Sequence, residues 1–145
     1  MKGLEFLKQL KFPFPIKQNV YWGEMDAFGH INNVIYFRYF ETGRINFFNQ
    51  TGFWKDLDNE TVRIVVVKLD CNFVQEIIYP KEIGIAVAIK EIGNSSVKVH
   101  HIVYDANDTN TIFAHGEGVI VGTDPQTGKS KPWSSLLKEK LSQFL

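Results

Sequence analysis

Between Val34 and Asn49 the chain reads as one long helix with almost no polar side. On a helical wheel Arg38, Thr42, Asn46 and Asn49 form a narrow polar strip. Val34, Tyr36, Phe37, Tyr39, Phe40, Ile45, Phe47 and Phe48 fill most of the rest. A helix apolar over so much of its circumference is expected to be enclosed, not laid on a surface. Thr51-Gly52 ends it, with the glycine suited to a left-handed C-cap.

The remaining chain supplies the enclosure. Pro13 and Pro15 enforce extended backbone, and Ile16–Trp22 follows as a first strand. After the helix, Val62–Phe73 alternates Val67, Leu69, Cys71 and Phe73 against Lys68, Asp70 and Asn72. Ile83–Ile92 alternates Ile83, Ile85, Val87 and Ile89 against Gly84, Ala86 and Ala88, small residues that let another element approach closely. Gly93-Asn94 marks a hairpin turn into Ser96–Asp105. Asn107–Asn110 turns the chain into a last strand, Thr111–Thr123. Pro132 opens a C-terminal helix from Trp133 to about Leu141. Residues 1–12 are expected as a short helical turn or a loose tail. Short connections mean antiparallel pairing. The expected architecture is α+β, a five-stranded antiparallel sheet curved around one central helix, with an extra C-terminal helix. At 145 residues it fits one domain spanning 1–145. One helix cannot cover both faces of such a sheet. A free sheet edge, with Ile83–Ile92 as its candidate strand, therefore predicts association with further copies.

Charge excludes some function classes. Lys+Arg and Asp+Glu both number 16, and no basic tract is present to bind nucleic acid. The single cysteine, Cys71, rules out an internal disulfide framework and fits a reducing compartment. Charges interrupt the apolar residues of MKGLEFLKQLKFPF, so it reads as neither signal peptide nor membrane span. The expected location is cytoplasmic. Twelve Phe and three Trp are more than one small core needs, so part of them is assigned to a subunit interface or an apolar ligand.

Chemistry concentrates in YWGEMDAFGHINNVIYFRYFETGRINFFNQ, Tyr21–Gln50. Asp26 stands seven residues ahead of Asn33, close to where the helix begins. The first turn of a helix has free backbone N–H donors. A carboxylate beside them can attack a carbonyl while the donors hold the resulting oxyanion. The bland alternative for Asp26 is a turn cap, and for Asn32 or Asn33 a helix N-cap. Gly29 permits tight backbone approach. His100 and His101 are adjacent in a strand and point to opposite faces, so they set no metal-ligand spacing. Cys71 has no adjacent base in sequence and is set aside as a nucleophile.

The segment D-A-F-G-H-I-N-N at Asp26–Asn33, followed by Tyr36, Tyr39, Glu41 and Arg44, resembles the signature of hotdog-fold acyl-CoA thioesterases of the 4-hydroxybenzoyl-CoA thioesterase-like branch. Weaker similarity continues through Phe73 to Pro80 and Glu82, the Gly93–Ser96 hairpin, Ala114 to Val121 and the Asp124–Lys129 loop. The resemblance implies an acyl-CoA substrate, no metal or cofactor, and a homodimer or homotetramer with active sites at the dimer interface. It implies Asp26 as nucleophile or general base, His30 as a group polarising the carbonyl or orienting the acid, and the Asn33 backbone N–H as oxyanion donor. Gly29, Asn32 and Tyr36 become substrate-binding candidates. Lys90 and Lys98, flanking the Gly93-Asn94 turn, are candidates for the CoA phosphates, because the chain has no phosphate-cradling glycine loop. Glu41 and Arg44 are expected to pair with each other or with a neighbouring subunit. The expected reaction is thioester hydrolysis to a carboxylic acid and free CoA. Its rivals are an acyl-carrier-protein thioesterase with the same chemistry and a hotdog acyl-CoA binding protein without turnover.

Overall fold

The structure, a computed structural model, describes residues 4–145; the part of the N-terminal expectation that falls on residues 1–3 lies outside them. The long helix, α1, spans Asn33–Thr51. Asn32 caps its start, its side chain accepting from the Val34 N–H at 3.1 Å. Gly52 ends it at φ 75°. The same glycine starts a second helix, α2 (Phe53–Asn59), which buries Phe53 and Leu57, one turn apart. This short helix has no counterpart in the expected element order.

The sheet holds β1 (Ile16–Asn19), β2 (Arg63–Leu69), β3 (Asn72–Phe73), β4 (Glu82–Ile92), β5 (Ser96–Asp105) and β6 (Asp108–Thr123). Five strands run antiparallel in the order β1-β4-β5-β6-β2, and β3 adds a short pairing to β6. Four expectations change. The first strand stops at Asn19, because the Tyr21 N–H turns to the Glu24 side chain and begins a 3₁₀ turn at Trp22–Glu24. Val62–Phe73 is not one strand. At Asp70 the chain folds over Gly116, where an added Cβ would stand 1.9 Å from the Asp70 carbonyl oxygen. The strand proposed as a free edge, β4, lies between β1 and β5, and the terminal strands of the five are β1 and β2. The C-terminal helix α3 covers Ser135–Ser142, two residues later than expected. Trp133 is instead packed over Gly122 with its indole N–H on the Ser96 carbonyl, and Ser134 caps the helix.

Helix α1 lies in the concave face. Gly43 lets it sit close on β4; a Cβ there would meet Ile85 Cγ2 at 2.9 Å. Tyr36, Tyr39, Phe40, Phe47 and Phe48 point into the core. The helix is not enclosed all round. Val34 is 61 % and Ile45 49 % exposed, on a stripe with Arg38, Glu41 and Asn49, because the sheet covers one side of it. The expected Glu41–Arg44 pair is replaced. Glu41 is exposed, and buried Arg44 donates to His101 Nε2 at 3.0 Å. His101 in turn donates from Nδ1 to the Gly116 carbonyl at 2.9 Å and stacks on Phe40 at 4.4 Å. His100, the next residue, faces the convex side and contacts His115 at 3.0 Å. The small residues of β4 receive the N-terminal 3₁₀ turn, Glu5–Gln9, whose Leu7 packs on Ala86 and Ile102.

Candidate active site

The loop from Val20 to Asn32 leaves β1 and delivers the chain to the start of α1. Its base closes through a Met25–Ile31 bridge, and the Ile31 N–H donates to the Ile77 carbonyl at 2.8 Å. Within it, the Gly29 N–H donates to the Asp26 carbonyl at 3.1 Å, and the Asp26 N–H to the His30 carbonyl at 3.1 Å. Gly29 takes φ 85°, a left-handed conformation that suits glycine.

A cleft of about 360 Å³ opens between this loop, the first turn of α1 and the segment after β3. Asp26, Phe28, His30, Ile31, Asn33 and Tyr36 line one side; Phe73, Val74, Gln75 and Glu76 line the other. Four residues singled out from sequence, Asp26, His30, Asn33 and Tyr36, therefore meet in one cavity. Asp26 Oδ1 accepts from the Phe28 N–H at 2.9 Å, which is the turn-capping contact. Among the described residues no donor engages Oδ2. The turn-capping contact therefore leaves one carboxylate oxygen without a protein donor among the described residues.

At the helix start, the Asn32 side chain takes the Val34 N–H and the Asn32 carbonyl takes the Ile35 N–H at 2.9 Å. Among the described residues nothing accepts from the Asn33 N–H. His30 Nε2 lies 3.7 Å from Glu76 Oε1, and its ring stacks on the exposed Phe28. Phe73 stands edge-on to Tyr36 at 5.1 Å. Burial pushes the Tyr36 hydroxyl up to about 12, so it stays protonated at neutral pH. Burial does the same to Cys71, raised to about 12, which keeps that thiol un-ionised.

Gly29 and Asn32 shape the cleft through backbone and cap contacts without lining it. Lys90 and Lys98 do not line it; they pair with Glu117 at 2.9 Å and Glu91 at 3.3 Å. Phe28 and the wall Phe73–Glu76 received no site role from the sequence. That wall reaches the cleft because β3 pairs with β6 and the Val74 and Gln75 N–H groups both donate to the Phe113 carbonyl. The pairing bridges about forty residues of sequence and leaves no local signal.

A curved antiparallel sheet around one helix, with a carboxylate-bearing loop at that helix's N-terminus, is the hotdog fold. The chain belongs to the thioesterase-like superfamily, which matches residues 20–141. It is 31% identical over 130 residues to the uncharacterized protein YsmA of Bacillus subtilis (strain 168), covering 90% of this chain and 86% of that one. Among solved structures it resembles the YbaW probable thioesterase of Escherichia coli at a TM-score of 0.82 and 18% identity, covering 90% of this chain and 98% of that one. It also resembles a thioesterase of Thermus thermophilus complexed with coenzyme A and Zn, at a TM-score of 0.75 and 25% identity, covering 90% and 98%. No helix of the described residues is long and apolar enough to cross a membrane.

Proposed function

We propose that the protein is an acyl-CoA thioesterase in which Asp26 is the nucleophile or general base and the Asn33 N–H is the oxyanion donor. One observation carries this reading. Asn33, whose N–H is left without a protein acceptor among the described residues, lines the same cleft as Asp26. A thioester carbonyl seated there has its oxygen at the helix N-terminus, where the dipole favours negative charge. Its carbon is then open to Asp26 or to a water that Asp26 deprotonates. Water is added across the C–S bond, giving a carboxylic acid and the CoA thiol. His30, beside Glu76, orients or polarises the reacting group, and Tyr36 and Phe73 form an apolar wall for the acyl portion.

Among the described residues no Lys or Arg lines the cleft, so the CoA phosphates lie outside it. The thioesterase with bound coenzyme A supports CoA as the carrier. We also infer that the working unit is a homodimer or a tetramer built from dimers, located in the cytoplasm. Phe28 and Phe73, both exposed, line the cleft, which favours a second copy as its remaining wall.

The decisive measurement is thiol release from a panel of acyl-CoAs, run with Asp26→Asn beside the parent. The variant keeps the size of the side chain and loses its basicity and nucleophilicity. The expected result is a fall in kcat of about a hundredfold or more, with a thermal midpoint close to the parent. Near-normal turnover by a folded Asp26→Asn variant overturns the assignment.

A further inference from the structure

Glu24 lies two residues before Asp26, and Tyr39 lies two helical turns into α1; neither lines the cleft. They meet behind it. The Tyr39 hydroxyl donates to Glu24 Oε1 at 2.9 Å, and the Tyr21 N–H donates to the same oxygen at 2.7 Å. The Glu24 carbonyl accepts from the Asn32 N–H at 3.0 Å. Glu24 therefore holds three points at once: the start of the loop at Tyr21, the end of the loop at the helix cap Asn32, and the body of the helix at Tyr39.

We propose that Glu24 and Tyr39 form a latch that sets the distance between the Asp26 carboxylate and the Asn33 N–H, and so act as positioning residues for the hydrolysis proposed above. This inference rests on that reading of Asp26. The two reacting groups sit on different elements. Asp26 belongs to a loop whose tip is solvent-exposed at Ala27, Phe28 and Gly29. The tip's own side-chain contact with another segment, His30 Nε2 to Glu76 Oε1 at 3.7 Å, is longer than a hydrogen bond and partly exposed. The Asn33 N–H belongs to the helix. The latch joins the loop to the helix at the base, where it is protected.

Tyr39 is 1 % exposed, and its ring is packed in the core, so its hydroxyl is held rigidly in place. Burial and the adjacent Glu24 carboxylate both push that hydroxyl up, so it stays protonated and donates. A charge-assisted hydrogen bond from a buried, rotationally fixed donor is among the stronger contacts a side chain can make. Misplacement of a reacting group by about 1 Å costs on the order of a hundredfold in rate. A contact that fixes this spacing therefore shows in kcat before it shows in substrate affinity.

The test compares Tyr39→Phe, Glu24→Gln and Glu24→Ala with Asp26→Asn and with the double variant Tyr39→Phe/Asp26→Asn. Each is assayed by acyl-CoA thiol release, well below its measured Tm. Tyr39→Phe should lower kcat about tenfold, with KM moving less than about threefold. Glu24→Gln, which keeps an acceptor oxygen, should retain more activity than Glu24→Ala. The double variant should be no slower than Asp26→Asn alone, because a latch acting through Asp26 has nothing left to position. A Tyr39→Phe enzyme with parental kcat and a lowered Tm, beside an inactive Asp26→Asn, overturns the latch and leaves the active-site reading standing. An active Asp26→Asn enzyme overturns that reading, and the latch with it.

Discussion

At the scale of single residues, the groups legible in sequence were those whose role is set by near neighbours. Asp26, Gly29, Asn32 and Asn33 lie within one loop and one helix start, so spacing placed them near one another, while the roles proposed for them came from the family resemblance. Arg44 illustrates the opposite case. Its nearest carboxylate in sequence, Glu41, suggested a pair, yet the guanidinium turns to His101, across the core on β5. The neutral imidazole accepts because its other nitrogen is committed to the Gly116 carbonyl. Burial holds His101 down to about 3, and burial together with His115 holds His100 down to about 4. Both are neutral in the folded protein, whereas in the unfolded chain a histidine titrates near 6.5. As pH falls below about 6.5 the unfolded chain takes up protons that the folded one refuses, so stability is lost towards pH 4 and unaffected above 7. Urea unfolding should show a loss on the order of 2 kcal/mol per buried histidine between pH 7.5 and pH 5. A flat profile over that range contradicts this account. Gly116 belongs to the same scale. Gly116→Ala places a methyl against the Asp70 carbonyl and should destabilise by about 3 kcal/mol or more, read as a lowered denaturation midpoint.

At the scale of elements, periodicity recovered α1 and the three long strands β4, β5 and β6, since each shows several repeats of its own period. Short elements escaped. The helix α2 has one buried pair, Phe53 and Leu57, too little to show a period. The break between β2 and β3 depends on Gly116, which lies on another strand. The small face of β4 did announce a close neighbour, and the neighbour is the N-terminal turn. Leu7 is 4 % exposed there, packed on Ala86 and Ile102. Leu7→Ala should cost about 2–3 kcal/mol of stability through the cavity it leaves. Because this turn shares no lining residue with the cleft, kcat of the folded variant should equal that of the parent. A loss of kcat at full folding would show that the convex face communicates with the site.

At the scale of the whole molecule, many of the aromatic residues fill the core, and part of them, including Trp22, Phe28, Trp54 and Phe73, stays exposed on one copy. The strand at the end of the sheet beside β6 is β2, whose Val65, Val66 and Val67 are 44 %, 44 % and 59 % exposed. A terminal strand with exposed valines and an unpaired row of backbone groups is unstable against pairing unless another chain covers it. The sequence pointed to a free edge but placed it on β4. Strand order depends on pairings between distant segments and is not written in local periodicity. We propose that the homodimer inferred above pairs two β2 strands side by side, extending one sheet into the next. Val65→Lys together with Val67→Lys puts like charges along both copies of that edge while leaving the concave core of each copy intact. Sedimentation velocity at micromolar concentration should then show the assembly shifted towards monomer. Thioesterase activity should fall in proportion to the dimer lost, since the aromatic rim of each cleft would lose its cover. A double variant that remains dimeric moves the interface away from β2. A monomer with full activity leaves the edge as the interface and shows that each cleft works alone.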